Sequence, residues 1–575
     1  MIQRSLIALA CLAASLPAQQ PAPVYRVVRE NNVNVPMRDG VRLSTNIRRP
    51  DAPGQFPAIL WRTPYGKAEG ESAAGLVPRG YVLVAQDVRG RFQSEGEWNP
   101  FFHEAADGDD AINWIASQPW SDGRVVMAGG SYGAMAEWLA ATRHNPHLKG
   151  LISMVSPSDI YDGTIYQGGA LNLGALEMWA ATMDGKQPDL AHLPKTRPEW
   201  EKIFEGLPLT NALRAAHHDP AFFREWIAHP SNDAFWQPLR WKDSYAAIDL
   251  PVLHQTGWYD MFQRGTLENF AQMRQHAPAA ARGDQYLIVG PWAHQGAGRK
   301  VGDVDFGPDA AADLPRLFIN WLDRHLKGQG IDNPPPVHVF TMGENTWRDY
   351  AAWPVPGTEF TKFYLHSADT LSQAQPASEK PDRYTYDPAN PVPTRGGGTC
   401  CFPNMLPWGP MDQREVEARP DVLVYSSAPL TADLRVTGPI EARLWISSSA
   451  PDTDFTVKLV DASPDGFAMN LTDGILRVRY RNSFQSPEFM KPGELYPIAV
   501  DVGNTSNLFR KGHKIRVEVS SGNFPHFSRN TNTGRQPETD ANFRKAQQTV
   551  RHDARHASYI VLPVVPGAQT GAGGL

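Results

Sequence analysis

From about residue 55 the chain alternates short apolar runs with helical or loop segments. Phe56 to Trp61 reads as a buried strand, Gly80 to Ala85 as a second, Arg124 to Gly129 as a third and Leu151 to Val155 as a fourth. Asp109 to Ser117 (DDAINWIAS) instead spaces its apolar residues as a helix does. Strands alternating with helical patterns predict a parallel sheet covered by helices. Residues 160–248 break the pattern. Trp, His and Asn are plentiful there, Phe222, Phe223, Trp226 and Ile227 fall at helical spacing, and no strand run appears, so a helical insertion is expected. Strands resume at Leu250 to Gln255 and Gln285 to Gly290, with a helix over Leu314 to Leu326. Beyond about residue 345 alternating strands recur at Phe360 to Leu365, Asp421 to Tyr425, Ala442 to Ile446, Phe455 to Val460, Ile475 to Tyr480 and Ile515 to Val519. Turn-rich loops separate them, which predicts a β-sandwich or jelly roll.

Composition sharpens this picture. Gly (48) and Pro (50) are in excess over a usual share of about 12%, as a turn-rich β region requires, without reaching low-complexity levels. The 61 acidic and 55 basic residues leave a net charge of −6, so no overall positive field favours nucleic acid or an anionic membrane. No long apolar run follows the N-terminus, which excludes a multi-span membrane protein. Residues 1–20 carry Arg4, a short apolar core from Leu6 to Ala14 and small residues up to Ala18, the pattern of a cleaved export signal. A buried N-terminal helix is the alternative. An export signal makes the mature protein periplasmic or secreted and removes Cys11. Three cysteines exclude a disulfide scaffold, and only the adjacent Cys400 and Cys401 would remain, as two thiols or a labile disulfide. No His/Cys cluster accompanies them in sequence, so no metal site is expected.

The most informative stretch is Gly129-Gly130-Ser131-Tyr132-Gly133, a G-x-S-x-G pattern directly after a strand and before a helix-compatible segment. Gly-Ser loops are common, but that context is the one a nucleophile elbow needs. A nucleophilic serine requires a base and an orienting carboxylate, in chain order Ser, Asp, His. Asp260 follows the strand ending at Gln255, and His294 follows the strand ending at Val289. Both sit where such sheets carry their chemistry.

Five ordered motifs carry a family resemblance. Pro64-Tyr65-Gly66-Lys67, Asp87 to Gly96 (DVRGRFQSEG), Gly129-Gly130-Ser131-Tyr132, Gly257-Trp258-Tyr259-Asp260 and Gly290-Pro291-Trp292-Ala293-His294 resemble the CocE/NonD hydrolases. That family includes cocaine esterase, α-amino acid ester hydrolases and glutaryl-type cephalosporin acylases, with X-Pro dipeptidyl-peptidases more distant. Arg419 to Leu423, Asp452 to Phe455, Pro464 to Gly466 and Gly512 to Arg516 extend it. The resemblance implies an α/β-hydrolase core (21–158 and 249–345), a helical cap (159–248) and a C-terminal jelly roll (346–575). It implies Ser131 as nucleophile, His294 as base and acid, Asp260 as orienting carboxylate, and an oxyanion hole from the Tyr65 hydroxyl and the Tyr132 N–H. A stacking role after a strand is the plainer reading of Tyr65. The Asp87 to Gly96 loop is expected to be held by internal ion pairs rather than to bind a charged substrate.

The family's amino-acid ester hydrolases carry extra acids after the catalytic Asp, whereas Met261-Phe262-Gln263-Arg264 follows here. Selection of an α-amino acyl group is therefore not expected. Trp179, Trp258, Met261, Phe262 and Trp292 are the candidate pocket residues. Arg264 could attract an acid-bearing acyl chain, although a lone Arg is more often solvated. The expected function is a secreted serine hydrolase of carboxylic esters, extending to amide side chains of β-lactams, with no cofactor and no metal. An exopeptidase removing X-Pro dipeptides is the alternative. The expected partner is a small ester or amide, and oligomeric state is left open.

Overall fold

The computed structural model describes residues 24–188, 190–329 and 335–566, so residues 1–20, expected above to be an export signal, lie outside the described residues. Ten strands build the core sheet: β1 (Val27–Pro36), β2 (Arg42–Pro50), β3 (Phe56–Thr63), β4 (Val82–Asp87), β5 (Ser121–Gly130), β6 (Leu148–Met154), β7 (Val252–Tyr259), β8 (Gln285–Ala293), β9 (Val337–Thr341) and β10 (Thr346–Tyr350). Their order is β1-β2-β4-β3-β5-β6-β7-β8-β9-β10. The seven strands from β4 to β9 in that order run parallel, and antiparallel strands close both edges. Every residue of β4, β7 and β8 is buried, as expected for parallel strands covered on both faces. Each large apolar side chain so buried contributes about 1.5–3 kcal/mol.

Helices α1 (Glu104–Ala116) and α2 (Tyr132–Ala141) pack on this sheet. The 160–248 insertion folds as α3 (Leu173–Thr182), α4 (Arg197–Phe204), α5 (Ala221–Ala228) and single helical turns. It also holds a small hairpin, Tyr166–Gln167 against Ala170–Leu171, that no strand run announced. Helix α6 (Gln263–His276) returns the chain to the core. The core sheet continues to Tyr350, past the expected edge at 345, because polar β10 completes it as an exposed antiparallel strand.

The C-terminal region is all-β apart from short helical turns, and its strands form one connected set of eleven. Tyr559–Val564, the last strand, lies inside that set, between Glu359–His366 and Leu434–Ser448. Core and β-region share one apolar cluster, in which Trp258, Tyr259 and Phe270 meet Leu471, Leu476 and Val500. Across the same seam Gln263 exchanges hydrogen bonds with the Asn504 backbone, and Tyr259 donates to the Asn470 carbonyl (3.0 Å).

Candidate active site

Ser131 stands between β5 and α2 with φ 56° and ψ −117°, a strained conformation that lifts its side chain out of the turn. The turn tolerates no side chain at Gly129, where a Cβ would lie 2.9 Å from the Gly133 backbone. Tyr132 is the first residue of α2, so its N–H has no intrahelical acceptor and is free to face a ligand. Its phenol is anchored in the opposite direction, donating to Glu104 (2.8 Å) and accepting from the Phe101 N–H (3.0 Å). Arg62, fully buried, pairs with the same carboxylate at 2.5 Å.

β7 and β8 are parallel neighbours with Tyr259 opposite Ala293, so the residues that follow them emerge side by side. His294 Nδ1 donates to Asp260 Oδ1 at 2.7 Å. The second Asp260 oxygen accepts from Thr256 Oγ1 (2.6 Å), and the Phe262 N–H donates to the first (3.0 Å). Both residues are buried, at 3% and 8% exposure, which keeps water from competing for the pair. With Nδ1 committed, Nε2 is the nitrogen left to face the cleft.

Tyr65 leaves β3 on a loop that is fixed from both sides. Arg91, fully buried, donates to the Pro64 carbonyl and to the Met183 and Gly185 carbonyls of the cap, while Lys67 pairs with Asp87 at 2.8 Å. Arg89 pairs with Asp107 and Asp39. The DVRGRFQSEG loop is thus held by ion pairs and carbonyl contacts of the protein's own. The Tyr65 hydroxyl accepts from Trp179 Nε1 (3.1 Å), and Tyr65 lines the same cleft as Ser131. Tyr65 is 37% exposed as a residue and lines the cleft, and desolvation pushes its phenol up to about 12.

A cleft of about 550 Å³ opens over Ser131, His294, Tyr65, Glu69 and Phe402. A smaller apolar pocket of about 40 Å³ runs behind Ser131 between Trp179, Trp226, Phe101, Met261 and Phe262. Its aromatic walls stack in sequence: Trp179 on Trp226 (5.9 Å), Trp226 on Phe101 (6.0 Å) and Phe101 on Tyr132 (4.8 Å).

Residues 39–296 match the family described as X-Pro dipeptidyl-peptidase (S15 family), and residues 329–561 match its C-terminal non-catalytic domain. The cocaine esterase of Rhodococcus sp. (strain MB1 Bresler) is 38% identical, over 93% of this chain and 98% of that protein. The chain belongs to the CocE/NonD hydrolases. By class it is a carboxylic ester hydrolase. Two solved structures superpose with a TM-score of 0.83 each. One is an aminopeptidase from a marine-sediment Thaumarchaeota archaeon, 27% identical over 97% of this chain and 99% of that one. The other is an α-amino acid ester hydrolase, 26% identical over 97% and 100%.

In this CocE/NonD hydrolase the fold brings together Ser131, Asp260, His294, Tyr65, Tyr132, Trp179, Met261 and Phe262. Trp258 and Trp292 do not join them. Trp258 donates to the Phe340 carbonyl (2.6 Å) beside Trp353, and Trp292 donates to the Ala310 carbonyl (2.8 Å) beside Trp347. Trp292 also forces glycine at position 257, where a Cβ would lie 2.1 Å from its carbonyl. Arg264 turns away to the Asp501 backbone and carboxylate, so it offers nothing to an acyl group in the cleft.

Sequence reasoning missed Phe101, read Trp226 only as a helically spaced residue of the insertion, and gave the cysteine pair no place at the site. Cys400 and Cys401 are disulfide-bonded and line the apolar pocket, with Cys401 also reaching the cleft. The absence of a His/Cys cluster in sequence did not carry into space, because their sulfurs stand beside His294. Among the described residues no helix is long and apolar enough to cross a membrane.

Proposed function

We propose that the protein is a serine esterase working through Ser131, His294 and Asp260, with Tyr65 and the Tyr132 N–H as oxyanion donors. The observation that carries this is the 2.7 Å Asp260–His294 bond at two adjacent strand ends, opening on the cleft that holds Ser131 at its elbow. Ser131 Oγ attacks the acyl carbonyl while His294 Nε2 takes its proton, and Asp260 holds Nδ1–H and stabilises the imidazolium. The carbonyl oxygen becomes negative between the Tyr65 hydroxyl and the Tyr132 N–H, where preformed donors need no reorganisation. His294 then returns the proton to the leaving alcohol, and water, activated by the same nitrogen, frees the acyl group.

The aromatic pocket behind Ser131 suits a compact apolar or aromatic acyl group, and the larger cleft receives the leaving group. Amide side chains of β-lactams belong to the same reading as slower substrates. We also propose export through residues 1–20, which N-terminal sequencing of the mature protein tests. Ser131→Ala should abolish hydrolysis of p-nitrophenyl acyl esters and labelling by a fluorophosphonate; retained turnover would sink the assignment.

A second reading, removal of X-Pro dipeptides, draws on the S15 match and on Glu69, an exposed carboxylate lining the cleft beside Tyr65. It requires cleavage of Ala-Pro-p-nitroanilide, loss of that cleavage on N-acetylation of the substrate, and selective damage by Glu69→Gln. Equal rates on blocked and free substrates reject it.

A further inference from the structure

We propose that the Cys400–Cys401 pair, once reduced, joins His294 in binding one soft divalent cation of the zinc and cadmium class, and that the ion switches the hydrolase off. An imidazole nitrogen of His294 and the two Sγ atoms already lie within 4.8 Å of one another. A tetrahedral site with metal–sulfur bonds near 2.3 Å and metal–nitrogen bonds near 2.0 Å needs donors about 3.5–3.8 Å apart. Closing the set therefore takes about 1 Å of approach between His294 and the sulfurs and, once the S–S bond is broken, a separation of the two sulfurs by rotation of their side chains, and a fourth position stays open to water.

The loop carrying the pair is built to hold this place. Gly397 and Gly409 exchange backbone hydrogen bonds (2.8 and 2.9 Å), and Thr399 Oγ1 reaches the Leu406 and Pro407 carbonyls. At Gly398 a Cβ would come within 3.3 Å of the Asp260 carbonyl, so the loop packs on the very residue that orients His294. Cys401 has φ +76°, a left-handed conformation that a non-glycine residue keeps only where its surroundings impose it. The Asp260 bond to Nδ1 fixes the tautomer and leaves the Nε2 lone pair for the ion, the carboxylate–histidine arrangement common behind bound metals. Two thiolates and an imidazole select soft cations over magnesium or calcium.

The steps balance. A dithiol reductant supplies two electrons and two protons, the S–S bond breaks, two thiols form, and the reductant closes to its own disulfide. The cation then displaces both thiol protons to buffer and accepts the Nε2 lone pair, with no electron transferred. That lone pair is the one proposed above to receive the Ser131 proton, so the inhibition, though not the binding, rests on the esterase reading.

The test uses the full chain as purified and after treatment with dithiothreitol followed by anaerobic desalting. Cadmium is titrated into both, with the ultraviolet thiolate-to-cadmium charge-transfer absorption, calorimetric stoichiometry and p-nitrophenyl acetate turnover read in parallel. The reduced protein should bind one cadmium per chain with the absorption band, lose at least about tenfold in turnover and recover on chelation. The oxidised protein should show neither the band nor the loss. Cys400→Ser/Cys401→Ser should show no band and no cadmium-dependent change from its own rate. His294→Ala should keep the band but bind more weakly, since one of the three protein ligands is gone. No band in the reduced protein, equal inhibition of the double-serine variant, or an unchanged Kd in His294→Ala overturns the proposal. If the untreated protein turns over no ester, the esterase reading has failed, and the band and stoichiometry still decide the metal site.

Discussion

Tyr65→Phe removes one oxygen atom and leaves the ring that fills its place. In the wild type that oxygen accepts from Trp179 Nε1 at 3.1 Å, so its own proton is left to point at an acceptor in the cleft. Burial holds the phenol at about 12, against the usual 10, so the donor stays protonated throughout any ordinary assay range. If Tyr65 is one of the two oxyanion donors proposed above, removing it costs about 10²–10³ in kcat, or about 2.7–4 kcal/mol. The Tyr132 N–H remains and accounts for what activity persists. The indole N–H of Trp179 also loses its acceptor, but that bond is solvent-exposed, so the ground-state cost is at most about 0.5–1.5 kcal/mol and appears in stability rather than in kcat. Turnover of a p-nitrophenyl ester from pH 6 to 10, with a guanidinium melt alongside, separates the two. The expected result is a kcat at least about a hundredfold lower, KM within about threefold, and an unmoved alkaline limb. A kcat loss below about tenfold, or a loss expressed in KM, would refute the oxyanion role.

Asp260→Asn should cost about 10⁴ in kcat by offering His294 Nδ1 a donor instead of an acceptor, and a loss under about a hundredfold would reject the orienting role. Arg477 is buried between Asp454 (3.1 Å) and Glu538 (2.9 Å), so Arg477→Leu strands two buried carboxylates. Chemical denaturation should register about 3–5 kcal/mol of lost stability, and a loss below about 1 kcal/mol would contradict an ionised cluster. His254 is fully buried, and burial lowers its imidazole from 6.5 to about 4. The unfolded chain then takes up a proton that the folded chain refuses, so this contribution to stability is complete above pH 6.5 and lost as pH falls toward 4. Between pH 7 and 5 it amounts to about 2 kcal/mol. His254→Asn should lack that component of the pH slope, and an identical slope would show His254 to be charged in the folded state.

The core was readable because parallel strands buried on both faces appear as unbroken apolar runs, and the places where those runs end singled out Ser131, Asp260 and His294 as the candidates that the fold brings to one cleft. The edges were not. β1 carries Asn31, Asn32 and Asn34 across a register shift, and most of its residues are at least partly exposed, so no clean apolar run marks it. β10 (TWRDY) is too polar to announce a strand. Trp258 and Trp292 misled by adjacency: residues two apart share a face only while a strand continues, and both strands end before the functional residue. The aromatic walls at Phe101 and Trp226 and the cysteine pair belong to segments far apart in the chain, which no local pattern can bring together.

The position of the last strand has a consequence in time. Tyr559–Val564 sits between two strands made much earlier, so the β-region cannot close until the chain has been made as far as Val564. Ser131, Asp260 and His294 are all translated well before that, and so before the loop of Cys400 and Cys401 that walls their pocket. At about 5–20 residues per second, the roughly 270 residues after His294 take about 13–54 s to make. For that interval Ser131, Asp260 and His294 exist without the loop that walls their pocket, so the pocket's shape depends on residues made long after the three it surrounds.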